Sequence, residues 1–380
     1  MQKIRYFDHA ATTPVKEEVL KEMLPYFNIE FGNPSSMYTI GRRAKRALEE
    51  ARTRVARAIG SKNKEIYFTS GGSESDNIAI KGVAFANREK GNHIITTKIE
   101  HPAILNTCKT LEKQGFTVTY LNVDKDGLIN LRELEESITN KTILISIMFA
   151  NNEIGTIEPI EQIGRIAKEH NVLFHTDSVQ AIGNVKIDVN KMNIDLLSMS
   201  SHKFYGPKGV GALYIREGVK CNKLQDGGHQ EREIRAGTEN VAGIVGMGKA
   251  IEIAYRDFDK YNDKLTNLRN YYISEVENKI PNIKVNGSMK YRLPGNANIS
   301  FEGVEGEAIL LNLDMEGICA SSGSACSTGQ STPSHVLLAM GVPSDLAYGA
   351  LRVTFGDENR IEDVDYLIEK LSKTIEKLRN

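Results

Sequence analysis

The chain has 380 residues, 40% hydrophobic and 26% charged, with 48 basic against 49 acidic side chains and a formal net charge of −1. That balance argues against electrostatic capture of nucleic acid or of an acidic membrane surface. The length suits two to three domains, or one large domain carrying a smaller one, with no need of disulfide staples. The most apolar stretch, Ile143 to Ala150, is interrupted by Ser146 and is too short to cross a bilayer. Residues 1–14 lack the apolar core and small-residue cleavage site of an export signal. Cys108, Cys221, Cys319 and Cys326 have no C-x-x-C spacing, so a reducing, cytoplasmic setting is expected.

In chain order, Gly41 to Ile59 places Ala44, Leu48, Ala51, Val55 and Ala58 at helical spacing, with Gly60 as the stop. Ile66 to Thr69 reads as a strand, followed by Ser70-Gly71-Gly72-Ser73-Glu74 and a helix to about Lys90. Ile94 to Thr97, Thr117 to Val123, Ile143 to Phe149, Val172 to Asp177 and Ile194 to Ser198 read as further buried strands. Amphipathic segments such as Ile160, Ile163, Ile166 and Ala167 lie between them. This alternation predicts an α/β fold with a mostly parallel central sheet flanked by helices. A charged helix over about Asn240 to Lys279 breaks around Asp257 to Asp259, where the domain change is placed. The expected division is a large domain over 13–256 and a smaller α+β domain from 1–12 with 257–380. The terminal stripe Val364, Leu367, Ile368, Leu371, Ile375 and Leu378 predicts a helix packed on a core.

Lys203 ends a buried strand, inside Ser201-His202-Lys203-Phe204-Tyr205-Gly206-Pro207. Desolvation there lowers an amine's pKa and suits Schiff-base chemistry, although a surface lysine at a strand end is the commoner reading of Lys203 alone. Upstream, Val172-Leu173-Phe174-His175-Thr176-Asp177 ends in a carboxylate that would suit a pyridinium N–H, or simply cap the next helix. Gly71-Gly72-Ser73 opens a helix after a strand, where backbone N–H groups favour phosphate and a plain turn is the alternative. Together, phosphate loop, acid and lysine fall at the ends of successive strands, where open α/β sheets bind ligands.

These segments resemble the pyridoxal-phosphate enzymes of fold type I, and more narrowly the NifS/IscS-like cysteine desulfurases. The matching stretches run almost end to end. They are Tyr6 to Pro14, Thr69 to Asn77, Asn151 to Thr156, His202-Lys203 with Gly206-Pro207, Arg235 to Asn240, and Ser321-Ser322-Gly323-Ser324-Ala325-Cys326-Ser327. The resemblance implies pyridoxal 5'-phosphate as cofactor, Lys203 as its Schiff-base lysine, Asp177 on the ring nitrogen and Gln180 on the ring hydroxyl. It implies that Gly72, Ser73, Ser200 and His202 hold the phosphate, with Thr238 reaching in from the second subunit of a homodimer. His101 would stack on the ring and move protons, Asn152 would lie beside cofactor and substrate, and Arg352 would grip the α-carboxylate of L-cysteine. Cys326 would take the sulfur as a persulfide, releasing L-alanine, and pass it to an iron–sulfur scaffold protein or another acceptor, transiently meeting that partner's cluster. No metal site, nucleic acid or membrane is implied.

Cys326 has a case of its own. Ser321 to His335 holds no large apolar side chain, which predicts an exposed, mobile loop and an accessible thiol. Cys108, Cys221 and Cys319 read as buried, inert groups. His93 and His170 fall at element ends and read as solvated, and His9, His175, His229 and His335 show no metal-ligand spacing. Glu233 departs from the family pattern, where a smaller or basic residue is expected, and should alter the loop near the dimer entrance. Two rival functions remain open at this point: an aminotransferase on the same fold, and a non-catalytic sulfur-assembly subunit.

Overall fold

The computed structural model describes residues 3–322 and 332–380; Cys326 lies outside the described residues. Twelve strands are present: β1 (Arg5–Tyr6), β2 (Ile66–Thr69), β3 (His93–Thr97), β4 (Thr117–Leu121), β5 (Thr142–Ser146), β6 (Leu173–Asp177), β7 (Leu196–Ser200), β8 (Gly211–Ile215), β9 (Ile283–Val285), β10 (Asn296–Phe301), β11 (Ile318–Cys319) and β12 (Ala350–Thr354) among the described residues. Seven form one sheet in the order β2-β8-β7-β6-β5-β3-β4. Its ladders from β7 through β6, β5 and β3 to β4 are parallel, and β8 alone runs antiparallel to both its neighbours. β12-β10-β9 make a small antiparallel sheet, and β1 pairs in parallel with β11.

Apart from its edge strand β4, the large sheet is buried on both faces, which is why strands such as β5 and β6 are apolar runs rather than alternations. One face carries the helices Thr39–Ile59, Ile160–Glu169 and Val241–Arg256 over a core that includes Phe174, Leu197, Met199 and Tyr214. The other carries Gly72–Ala86 and Pro102–Glu112, with Ile80, Val83, Ile104 and Leu111 fully buried. Helix Thr39–Ile59 buries Ala44, Leu48, Ala51, Val55 and Ile59 and stops at Gly60, whose φ of 71° suits glycine. A separate core gathers helices Phe258–Lys279, Gly306–Met315 and Ile361–Arg379 against β10 and β12.

The expected strands sit within a few residues of those observed. The helix after β2 ends at Ala86 rather than near Lys90, because Asn87 turns its amide back to the Val83 carbonyl at 2.9 Å. His93 is not solvated: it is buried in β3 between the hydroxyls of Thr142 (2.8 Å) and Thr119 (2.9 Å), and burial holds its pKa below the usual value. Of the three described cysteines only Cys108 is fully buried; Cys221 and Cys319 are half-buried, and burial raises all three thiols.

Candidate active site

The C-terminal ends of β2, β3, β5, β6 and β7 open onto one cavity of about 460 Å³. Gly72, Ser73, His101, Asn152, Asp177, Gln180, Ser200, His202, Lys203 and Arg352 all line it, so ten of the eleven described residues singled out in the sequence converge. The eleventh, Thr238, is exposed and is not part of the lining.

Asp177 is the last residue of β6 and 7% exposed. Its Oδ1 accepts from the Val179 amide at 2.9 Å. Burial pushes this carboxyl above its ordinary value, against the pull of His101 and Lys203. A cation beside it would restore the charged form. Helix Gly72–Ala86 begins with Gly71 as N-cap and no capping side chain. The first-turn N–H groups therefore lack a side-chain acceptor and favour an anion. The backbone is close there: a Cβ on Gly72 would lie 2.7 Å from Val179 Cγ2, and one on Gly211 would lie 2.7 Å from Gly71 Cα. Ser200 ends β7 beside this turn, and His202 follows, its Nδ1 3.0 Å from Thr12 Oγ1. Burial, with Lys203 and Lys208 adding to it, lowers His202 to about 4, so its ring is neutral at pH 7.

Lys203 sits in the short turn after β7 and donates to the carbonyls of Ala10 and Ala11. Gln180 Nε2 donates to the same Ala10 carbonyl at 3.0 Å. His101 caps helix Pro102–Glu112, its Nδ1 accepting from the Ala103 amide at 3.1 Å. That bond assigns the proton of the neutral ring to Nε2, and burial lowers the ring's pKa. Arg352 on β12 is 2% exposed. It donates through Nη2 to Asp8 Oδ1 at 2.7 Å and through Nη1 to the Asn152 carbonyl at 3.1 Å, while its buried Nε has no partner among the described residues.

A cavity lined by a buried acid, an uncapped helix terminus and an amine has the donor set that pyridoxal phosphate needs, for its ring nitrogen, its phosphate and its aldehyde. Asp177 would hold the ring nitrogen, the first turn with Ser73 and Ser200 the phosphate, and Lys203 the aldehyde carbon. Four contributing residues were missed in the sequence. Asp8 orients Arg352, the Ala10 and Ala11 carbonyls hold Lys203, and Asp76 lines the cavity with its carboxyl raised well above the usual range by burial and by Asp177. Asp76 stands one helical turn after Gly72, a spacing that could have marked it.

The Aminotransferase class-V family model matches residues 5–367. A cysteine desulfurase IscS of Clostridium botulinum is 58% identical over 381 aligned positions, covering all of this chain and 96% of the relative. Among solved structures, a NifS-like protein superposes with a TM-score of 0.93 at 39% identity, covering 99% of this chain and all of that one. Another, SspA in complex with cysteine, gives 0.83 at 40% identity, covering 93% of this chain and 99% of that one. With these matches spanning the strands, the cavity and the small sheet alike, the chain belongs to the class-V aminotransferase family, within its cysteine desulfurases.

Proposed function

We propose that the chain removes sulfur from L-cysteine, giving L-alanine and a persulfide on Cys326. The observation that carries this reading is the cavity that brings Lys203, Asp177, His101 and Arg352 together, in a chain whose relatives are named cysteine desulfurases. Bound there, pyridoxal phosphate supplies an electron-accepting ring that weakens the bonds at the substrate's α-carbon.

The protein's own residues do the rest. Arg352 holds the α-carboxylate through a bidentate fork that lysine could not supply, and Asn152 lies alongside. Asp177 keeps a proton on the ring nitrogen. With the cofactor bound, the Lys203 Nζ would take the α-proton and His101 would move a proton through Nε2. Gly72, Ser73, Ser200 and His202 fix the phosphate. The Cys326 thiolate would bond the substrate sulfur as the Cβ–S bond breaks and leaves its electron pair on Cβ; Cβ gains a proton, and the α-proton held by Lys203 returns to Cα, completing alanine. The sulfur then passes to an acceptor, for which an iron–sulfur scaffold protein is the proposed partner.

Thr238 is proposed to complete the phosphate site of a second copy. Its exposure supports this, as does the apolar run Leu20, Leu24, Phe27, Ile29, Phe31, Met37 and Tyr38, up to 89% exposed, which a homodimer would cover. The division into 13–256 and 1–12 with 257–380 is likewise proposed, on the strength of the separate core around β10 and β12. No helix among the described residues is long and apolar enough to cross a membrane. A cytoplasmic setting is proposed on the free thiols of Cys108, Cys221 and Cys319.

The test is stoichiometric release of alanine and sulfide from L-cysteine with a thiol reductant. Keto acid in place of alanine would identify an aminotransferase. Cys326→Ser should still bind L-cysteine and shift the cofactor's absorption, yet form neither alanine nor protein persulfide. Normal sulfide release by that variant would remove Cys326 from the reaction.

A further inference from the structure

The segment leading to Thr238 is held in an unfavourable conformation. Glu231, Arg232 and Glu233 have φ of 43°, 51° and 71°, three successive left-handed residues without a glycine. L-residues adopt that region at a cost, and rarely in series. Surrounding contacts must therefore over-determine it.

Those contacts are specific. Glu231 is 5% exposed and meets the 3% exposed guanidinium of Arg52 through two hydrogen bonds, Nη1 to Oε2 at 2.8 Å and Nη2 to Oε1 at 2.9 Å. The Phe68 amide of β2 donates to the same Oε2 at 2.8 Å. Arg232 donates to the Ile66 carbonyl and lies 4.1 Å over the Tyr67 ring. Beyond the turn, Arg235 Nε pairs with Glu74 Oε1 at 2.9 Å, and Glu74 stands in the first turn of Gly72–Ala86, next to Ser73. Thr238 follows, exposed, after Gly237 with φ of 106°.

We infer that the Arg52–Glu231 and Glu74–Arg235 pairs form a clamp that presents Thr238 to the cofactor phosphate of the partner subunit, making Glu231 and Arg235 positioning residues for a site in the other chain. The inference rests on the homodimer reading above and adds to it a direction. The clamp is anchored on one subunit's β2 and phosphate helix, yet its effect is delivered to the neighbour. A strained turn locked by a buried bidentate pair suits this role, because it fixes the segment before the partner arrives and leaves less ordering to be done on assembly.

The experiment uses tagged, co-expressed holoenzyme dimers and reads cofactor release together with turnover. In homodimers, Glu231→Gln keeps the side chain's size and the Phe68 contact but weakens the pair. It should speed cofactor release on the order of tenfold, the worth of one charged hydrogen bond. Arg235→Gln, outside the buried pair, provides the second variant should Glu231→Gln fail to fold. Mixed dimers then separate effects within a chain from effects across chains. When Glu231→Gln sits on one subunit and Lys203→Ala on the other, the surviving Lys203 site receives Thr238 from an intact clamp, and its release rate should return to that of the wild type. When both substitutions sit on one subunit beside a wild-type partner, the surviving site is served by the damaged clamp and should release cofactor quickly.

A defect that stays with the substituted subunit in both arrangements overturns the inference and leaves the pair a prop of its own fold. An absence of effect in all arms overturns it equally. Thr238→Ala in the same two arrangements checks the underlying reading. If it acts across the interface while Glu231→Gln and Arg235→Gln do not, the dimer reading stands and the clamp falls. If Thr238→Ala does not act across, or the protein sediments as a monomer, the reading itself falls and the clamp with it.

Discussion

Arg352→Lys is the substitution that best isolates substrate recognition. Arg352 lines the cavity at 2% exposure, with one nitrogen on Asp8 Oδ1 at 2.7 Å, one on the Asn152 carbonyl at 3.1 Å and a buried Nε without a partner among the described residues. An unpaired buried N–H beside a cavity is costly until an acceptor arrives, and a carboxylate supplies two. Lysine retains the charge but can offer a point contact only, and it must choose between Asp8 and the substrate. Losing one charge-assisted hydrogen bond costs roughly 1.5–3 kcal/mol, and each 1.4 kcal/mol is about tenfold, so the KM for L-cysteine should rise by roughly 10- to 150-fold. Because the lost contact exists before and during the reaction, kcat should change far less than KM. Alanine formation against L-cysteine concentration measures both constants, and the cofactor's absorption change on cysteine binding checks the affinity independently. A KM within twofold of wild type would refute the assignment of Arg352 to the carboxylate, as would a loss confined to kcat.

Asp177→Asn should preserve the fold, since the side chains are nearly the same size, while most turnover disappears because a neutral amide cannot keep the ring nitrogen protonated; near-normal turnover in a correctly folded variant would leave Asp177 a cap for Val179 only. Glu158 is 3% exposed, its Oε1 has no partner among the described residues, and burial raises its carboxyl to about 8. Its proton is thus kept in the folded state after the unfolded chain has lost it, so this group makes stability fall as pH rises from about 4.5 to about 8, by a few kcal/mol at most. Glu158→Gln should flatten that part of the stability–pH curve and gain most at pH 8–9 in denaturant titrations; an unchanged slope would mean that Glu158 is not protonated when folded. Glu233→Gly removes a left-handed non-glycine residue (φ 71°) and an exposed contact with His229. Relief of about 1–2 kcal/mol of backbone cost, less about 0.4–1 kcal/mol of added freedom in the unfolded chain, should raise Tm slightly in calorimetry, and a lowered Tm would show the turn to be unstrained there.

How much of this could be read from the sequence depended on how local the signal was. The inner parallel strands of the large sheet are buried on both faces, so β5 and β6 advertise themselves as Ile143-Leu144-Ile145 and Leu173-Phe174. β10 carries no such apolar run: Asn296, Asn298 and Ser300 alternate through it with Ala297, Ile299 and Phe301. All three polar residues are buried, and Asn298 and Ser300 are paired across the small sheet, Asn286 Nδ2 donating to Asn298 Oδ1 and Ser300 Oγ, each at 2.8 Å. β8 opens with a glycine that the nearby Gly71 backbone requires, which hides a strand behind a turn signal. In the site, Gly72, Asp177 and Lys203 stand at strand ends, and that position was visible as a pattern. Asp8 on Arg352 joins residues 344 apart, and no local pattern announces such a contact. His175 follows the same logic: it lies between Ser146 Oγ (2.9 Å) and Ser198 Oγ (3.0 Å) on β5 and β7, and burial lowers its pKa to about 3, so the ring is neutral.

The stretch Tyr6 to Pro14 contributes only Ala10 and Ala11 to the cavity lining, yet it hydrogen-bonds to four of the groups there, Arg352, Lys203, Gln180 and His202. Asp8 holds Arg352 on the small sheet. Two residues on, the Ala10 carbonyl accepts from both Lys203 and Gln180, and the Ala11 carbonyl from Lys203. Thr12 Oγ1 meets His202 Nδ1 at 3.0 Å, and Thr13 Oγ1 donates to the His202 carbonyl at 2.9 Å while accepting from the Tyr205 amide at 2.8 Å. Ala10 also ties back to the small sheet, its amide donating to Thr354 Oγ1 at 2.9 Å. Small side chains at positions 10 and 11 let those carbonyls approach the amine, and hydroxyls at 12 and 13 supply donors and acceptors a short reach away. The carboxylate grip on β12 and the amine after β7 are thus referenced to one short piece of backbone. Displacing that piece would move Arg352 and Lys203 together, so the distance between the substrate's carboxylate and the group that takes its α-proton is set by residues 8 to 11 rather than by either sheet alone.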